Sequence, residues 1–449
     1  MEPAFTPPPA RPRMVRALMD TFGLSLIAAS IVSVFLIVVG VLALVWVFVS
    51  APPRKITISS GPPGSSFERM ARTYQKDLAA RGFRLEIQPS TGSLENLQRL
   101  RDPKSGVDVA FVQGGLTGDV PPANLVSLGS VSYQPLWLFY RGDAVLTRLS
   151  ELAGKRIAVG PVGSGTHALA LTLLKANGVS EANATLLNDE PAAASAALQN
   201  GKIDALFLMG DSAPVQTLRA MVRAPGVRIF DWVQADAYVR RYTYLNVIRL
   251  PEGAIDLGKN LPAQDVTLVG PTVELVAHKG LNSAVSDLLL DVAHEIHGRA
   301  SLLQKANEFP APLAHEFKIS DDAARYYKTG KSFLYRVIPS FWIASMINPI
   351  LVAFVPALLL IIPVLRILPV LYRLRIHLRI YRCYRPLLQL ERDTAGPLTR
   401  DRALELLGRL DEVERLAGRL RVPASFGNQF YELRSHIAFV RHRLQAAVR

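Results

Sequence analysis

The sequence predicts a two-lobed α/β body set between two long apolar segments and followed by a basic helical tail. Three observations carry this. Strand and helix signals alternate from residue 54 to 335, which argues for a parallel-rich sheet with helices on both faces. Two alike turns, GPPGSS at 61–66 and GPVGSG at 160–165, each follow a strand signal and open a helix signal, 99 residues apart. Two uncharged runs, Leu24 to Val49 and Val337 to Leu365, bracket the body.

The 449 residues allow two or three domains. A single cysteine, Cys383, excludes an internal disulfide and a cysteine-rich metal site. The first apolar run has 26 residues, enough to span about 30 Å of hydrocarbon at about 1.5 Å per residue. It exceeds the apolar core of a cleaved signal peptide and follows Arg11, Arg13 and Arg16, so an uncleaved anchor over 21–50 is expected. Val49-Ser50-Ala51 nevertheless has the small residues of a cleavage site. The second run, 337–365, has Phe341 and Trp342 near its start, as interface anchors would stand. Its Pro349, Pro356 and Pro363 imply kinks. From Arg366 onward there are 17 Arg and 8 acidic residues. Positive segments stay in the cytoplasm. The expectation is a two-pass membrane protein, with 1–20 and 366–449 cytoplasmic and 51–335 outside the cytoplasm. Arg373, Arg375, Arg379, Arg382 and Arg385 suit a lipid bilayer surface better than nucleic acid.

Within the body, Lys55 to Ser59 reads as a strand, and Phe67, Met70, Ala71, Tyr74 and Leu78 form one helical stripe. Phe83 to Gln88 is a second strand. Leu94, Leu97 and Leu100 follow Thr91-Gly92-Ser93 as a short helix, and Val107 to Val112 is a buried strand ending at Gln113. Ile157 to Val159 is a strand, and Ala168 to Leu174 has helical spacing. The two glycine turns suggest two similar lobes with ligand-binding loops at the carboxyl ends of their strands. Each helix start exposes unpaired N–H groups and a positive dipole end, and small residues let an anion approach. Ser65, Ser66, Ser93, Ser164 and Thr166 add hydroxyls.

Residues 160–167, GPVGSGTH, lack the lysine of a P-loop. Gly163, Gly165 and Ala168 formally match a dinucleotide fingerprint, with Asp189 following the apolar run 184–187. An extra Gly-Pro-Val between strand and fingerprint, and the expected placement outside the cytoplasm, count against a nicotinamide. No cofactor is expected. His294-Glu295-Ile296-His297 spaces its histidines three apart rather than four, which fits an exposed helix face better than a metal site. There is no GxSxG elbow and no cysteine in the body, so no enzymatic function is expected.

The stretches ITISSGPPGSSFERMA, STGSLENLQRL, DVAFVQGG and LSELAGKRIAVGPVGSGTHALALTLLKANGV occur in one order. Together they resemble the TAXI family of solute-binding proteins of TRAP-type transporters, over residues 54 to 335. ISDDAARYYKTGKSFL extends the resemblance to anchored members. The resemblance implies a type II periplasmic-binding-protein fold of two lobes, here 54–138 with 245–335, and 139–244. It implies a small carboxylate ligand (a dicarboxylate, oxoacid or amino acid) and separate TRAP permease subunits as partners. The family's first-turn GGTYYP motif falls on Gly64, Ser65, Ser66, Phe67, Glu68 and Arg69. Phe67 lacks the tyrosine hydroxyl, and Glu68 and Arg69 depart from the motif. Its GGSxEN motif keeps Gly92, Ser93, Glu95 and Asn96, with Thr91 in place of the first glycine. Its GSGT motif is intact at Gly163, Ser164, Gly165 and Thr166. The candidate ligand-binding residues are Gly64, Ser65, Ser66, Phe67, Thr91, Gly92, Ser93, Asn96, Gln113, Tyr133, Gly163, Ser164, Gly165, Thr166, His167 and Asp189. The strands near Leu136 to Tyr140 and Leu245 to Arg249 are the hinge candidates.

In the tail, Leu406, Leu410, Val413, Ala417 and Leu420 repeat at 3–4 spacing, as do Phe430, Leu433, Ile437, Val440, Leu444 and Ala447, with Pro423 and Gly427 between. This reads as a helical hairpin with an apolar seam, either plain or a docking or self-association element. Solute reception for a permease, in the periplasm at a bacterial inner membrane, leads the functional readings. A tethered ligand sensor signalling through the hairpin, and an enzyme on the same fold, are the alternatives.

Overall fold

The computed structural model describes residues 12–22, 26–49, 52–118, 122–313, 316–331, 337–338, 341–394, 396, 399–420 and 426–448. The chain divides into two units: Ser50–Asn348, and Met1–Val49 together with Pro349–Arg449.

Helices α1 (Arg13–Phe22) and α2 (Leu26–Val49) precede the body. The body then runs β1 (Lys55–Ser59), α3 (Ser66–Ala80), β2 (Arg84–Gln88), α4 (Ser93–Arg101), β3 (Val109–Gln113) and β4 (Leu125–Tyr133). It passes through β5 (Trp137–Arg141), β6 (Arg156–Ala158), α5 (Gly165–Ala176), β7 (Thr185–Leu187), α6 (Pro191–Gln199), β8 (Ala205–Leu208), α7 (Val215–Val222), β9 (Val227–Ile229) and α8 (Ala235–Arg241). It closes with β10 (Leu245–Leu250), β11 (Val266–His278), α9 (Ser283–His297) and α10 (Asp321–Thr329).

Two sheets result. The first has the order β10–β11–β3–β1–β2, with β4 also on β11, and the second β7–β6–β8–β5–β9. Strand β1 is parallel to β2 and β3, and β6 is parallel to β7 and β8. The other pairings are antiparallel. The sheets are therefore mixed rather than parallel-rich. Alternation of strand and helix signals sets the parallel triads, but it carries no information on the direction of strands that arrive by long connections. Both lobes repeat one plan. A central strand is flanked by two parallel neighbours, and an antiparallel strand lies beside the third. Each glycine turn leaves the central strand.

Local chemistry explains the helix starts. Ser65 caps α3 by accepting from the Glu68 amide at 3.2 Å, and Ser164 caps α5 by accepting from His167 at 3.1 Å. The α3 stripe buries Phe67, Ala71, Tyr74 and Leu78 against Phe111 and Leu275 in the first core. The second core holds Phe139, Ile157, Leu173, Phe207 and Trp232. It also takes in Leu245, Ile248, Val266 and Leu268, although β10 and β11 belong to the first sheet. The chain crosses between sheets at Gln134–Leu136, where Leu136 bridges Val269, and returns through β10.

α9 places His294 and Glu295 at the surface, but His297 is buried against Tyr74 with ring centroids 5.8 Å apart. The expected exposed face thus holds for two of these residues and not for His297. Among the described residues no group of three His, Cys, Asp or Glu is placed to hold a metal ion.

Beyond the body, α11 (Phe341–Asp393), α12 (Arg400–Gly418) and α13 (Gly427–Val448) follow. The expected seam is buried: Leu406, Leu410, Val413 and Ala417 face Leu433, Ile437, Val440 and Leu444. Pro423 lies outside the described residues. The hairpin gains a third member, because Ile376, Ile380, Leu387 and Leu390 of α11 join the same core. Cys383 sits among them, and burial pushes its thiol pKa up. Leu410→Ala should cost this bundle about 2–5 kcal/mol, as a large-to-small core change does. The loss is read as faster amide hydrogen exchange across α12 and α13.

The expected membrane placement is corrected. Among the described residues no helix is long and apolar enough to cross a membrane. The second apolar run does not end as a discrete span, because α11 continues unbroken into the basic segment, whose apolar side chains form the bundle core. The two-pass inner-membrane topology, with both termini cytoplasmic, is therefore not supported.

Candidate functional site

The carboxyl ends of β1, β3, β6 and β8 carry the loops at which the lobes meet. The β1 turn reaches the loop after β8. Ser66 donates to the Gly210 carbonyl through its amide at 2.8 Å and its hydroxyl at 2.6 Å. The Val215 amide donates to Gly64 at 3.2 Å. At Gly64, whose φ is +82, an added Cβ would stand 3.4 Å from Pro214 Cβ. The β2–α4 turn reaches the β6–α5 turn, where the Glu95 amide donates to Gly163 at 3.0 Å. At the end of β3, Gln113 donates from Nε2 to the Gly165 carbonyl at 3.0 Å. Gly165 has no room for a Cβ, which would overlap the Gln113 side chain.

At the centre of this junction lies Asp211, fully buried. Its carboxylate accepts from the Gly165 amide at 2.6 Å, Thr166 Oγ1 at 2.8 Å, Ser212 Oγ at 3.1 Å and the Ser93 amide at 3.4 Å. Burial raises its pKa above the usual aspartate range, and the donors from Thr166, Gly165, Ser93 and Ser212 oppose that rise. Gly92, at φ +141, makes space for it: a Cβ there would lie 2.5 Å from Asp211 Oδ2 and 3.1 Å from Ser164 Cα.

The β1–α3 and β2–α4 turns are held locally. The Gly64 amide donates to Glu68 Oε2 at 2.9 Å, and Glu68 also pairs with Arg72. These contacts, the Gly64 bond foremost, lower the Glu68 pKa against the opposing effect of burial. The Thr91 amide and hydroxyl both donate to Glu95 Oε2 at 2.7 Å. In both turns the amide lies just before the N-cap and the acceptor is a glutamate of the helix that follows.

Most of the expected site residues gather here, in varied roles. Gly64, Ser65, Ser66, Thr91, Gly92, Ser93, Gln113, Gly163, Ser164, Gly165 and Thr166 form the junction. Asn96 is buried beside it with a structural task, donating to the Ser60 and Phe111 carbonyls and accepting from Ser59 and Ser90. Phe67 belongs to the first core, 5.6 Å from Phe111. His167 turns Nδ1 to the Gly160 carbonyl at 3.2 Å. Tyr133 donates to Glu308 at 2.8 Å and packs edge-on against Phe309. Asp189 lies on an exposed loop after the edge strand β7, outside the junction.

Next to the junction is a cavity of about 510 Å³. Ser66 and Gln134 line its inner end, with Gly210 between them, and Trp137, Leu218, Val222 and Ile255 form apolar walls. Arg219 in α7 and Arg223 at its C-cap, both exposed, line it as well. With its amide oriented to satisfy its neighbours, the Gln134 side chain accepts from Gly210 N at 2.8 Å and Asp211 N at 2.5 Å. Residues of both lobes and of the Gln134–Pro135 crossing thus enclose one space.

Asp211, Gln134, Trp137, Arg219 and Arg223 are not among the residues expected from sequence. One signal pointed to Asp211. It follows the buried run 205–208, and a strand's carboxyl end is where open α/β sheets place functional loops.

The profile of the family described as NMT1-like matches residues 65–295, just over half of the chain. Among solved structures, the periplasmic aliphatic sulphonate-binding protein of Escherichia coli is similar at 16% identity, covering 66% of this chain and 84% of that one, with a TM-score of 0.33. An ancestral arginine-binding protein bound to arginine is similar at 15% identity over 54% of this chain and 92% of that one, with a TM-score of 0.35. The regulatory domain of a Synechocystis protein, CcmR, in complex with 2-PG is similar at 13% identity over 55% and 98%, with a TM-score of 0.35.

Proposed function

The chain belongs to the NMT1-like family, and from that premise we propose that its body is a solute-binding module whose ligand sits between the lobes. The observation that carries this reading is the cavity of about 510 Å³ lined by Ser66, by the Gln134 crossing and by α7. A ligand there touches both lobes and the segment joining them. Its contacts then differ between open and closed arrangements, which is what lets a ligand shift that equilibrium.

The cavity's chemistry supports a small anion with an apolar part. Arg219 and Arg223 offer forked donors suited to a carboxylate, and Trp137, Leu218 and Ile255 offer apolar contact. The four motifs resembling TAXI proteins support a finer version, a receptor that hands a small carboxylate to a TRAP-type permease. The reading requires no catalytic step.

The test is a thermal-shift screen with amino acids, oxoacids and dicarboxylates. A ligand at a hundredfold excess over its Kd should add about 2.7 kcal/mol of stability. Arg219→Ala with Arg223→Ala should weaken binding about tenfold or more, as loss of charge-assisted hydrogen bonds does. Titration calorimetry giving equal affinity for the wild type and the double variant would place the ligand elsewhere.

A further inference from the structure

A carboxylate buried with neutral donors is unusual unless something fixes it there. Asp211 is fully buried and is held by two backbone amides at helix starts and two hydroxyls. Those amides belong to different lobes, Ser93 opening α4 and Gly165 opening α5. Small residues surround it, and Gly92 leaves room that a Cβ would fill. This donor set is the one suited to a free small carboxylate, yet the chain's own side chain occupies it.

We propose that Asp211 is a resident anion, a tethered carboxylate that fills the interlobe anion site and helps hold the lobes together without a free ligand. A tether keeps its carboxylate at high local concentration. Free carboxylates are thereby excluded from the junction, and the solute is left to the neighbouring cavity. The inference does not depend on what that cavity binds. Asp211→Ala removes a group the size of formate and leaves its donors in place. The variant should then take formate from solution.

The experiment uses the full-length chain, with unfolding followed by intrinsic fluorescence in sodium formate or in sodium chloride at equal ionic strength. Asp211→Ala should melt about 5 °C or more below the wild type, as loss of a buried hydrogen-bonded charge does. Formate should recover at least half of that shift, chloride should not, and the wild type should respond to neither. An Asp211→Ala protein as stable as the wild type would overturn the proposal, as would equal formate responses in the two proteins. Asp211→Asn, which keeps the side-chain size, guards against a variant that does not fold. Spin labels at Lys104→Cys and Lys175→Cys, exposed on the two lobes, report their separation in a Cys383→Ser background. Asp211→Asn should widen or broaden that distance distribution, and formate should not restore it. A wild-type distribution together with a wild-type melting point in Asp211→Asn also overturns the proposal.

Discussion

Gly270→Ala is expected to destabilise the body by about 3 kcal/mol or more, at the upper end of the overpacking range. Gly270 lies in β11 where the first crossing passes over it. A Cβ there would overlap the Gln134 carbonyl oxygen and stand 2.8 Å from both the Gln134 carbonyl carbon and Pro135 Cα. These atoms are all backbone, so no rotamer change relieves the clash. Leu136 is bridged to Val269 and the Gln134 amide donates to Pro271 at 2.8 Å, which pins the crossing on both sides of Gly270. Gly280→Ala is the control, because nothing lies within 4 Å of its added carbon. The measurement is the urea midpoint of each variant. Similar midpoints for the two would show that the crossing yields easily.

The second large effect is a pH dependence set by Glu274. This residue is fully buried on β11, opposite Ser130 of β4. Burial raises its pKa from 4.5 to about 8, with the Ser127 side chain opposing and the charge of Glu316 adding to the rise. The folded state therefore holds a proton that the unfolded state releases above about pH 4.5. Stability from this group is fully present below that pH and is lost as pH rises toward 8, at about 1.4 kcal/mol per pH unit. Glu274→Gln keeps the shape and removes the proton, so its stability curve should be flatter from pH 5 to 8. The gap from the wild type should grow to several kcal/mol, on the order of the summed linkage. Asp287, raised by burial to about 6, acts with the same sign over a lower window and is unchanged in the variant. His297 has the opposite sign: burial lowers its pKa to about 4, so its stability is lost as pH falls from 6.5. Parallel curves for the wild type and Glu274→Gln would rule out a buried neutral acid at this position.

The elements legible in sequence were those whose cause is local. The strand and helix signals on either side of both glycine turns hold, and there Ser65 and Ser164 act as helix caps. The α3 stripe and the α12–α13 seam follow from 3–4 spacing alone. What escaped depends on residues far apart in the chain. Asp211 sits in MGDSAP, which reads as an ordinary turn until the β6–α5 and β2–α4 turns are brought to it. The antiparallel strands β4 and β11 pair over more than a hundred residues, so alternation suggested parallel sheets. The third helix of the bundle is masked in sequence because Ile376, Ile380 and Leu387 are interspersed with arginines that read as a charge cluster. The candidate residues in the turns come together, but nothing local pairs the Ser93 and Gly165 amides with Asp211.

The Asp211 bonds are unequal: 2.6, 2.8 and 3.1 Å to Gly165, Thr166 and Ser212 of its own lobe, but 3.4 Å to Ser93 of the other. Any rocking apart breaks the long bond first, so the acid departs with the second lobe and leaves bare dipoles on the first. An entrant would then pass a wall carrying fixed negative charge. A simple acid would be repelled there, whereas the ammonium of a zwitterion would find its counter-ion.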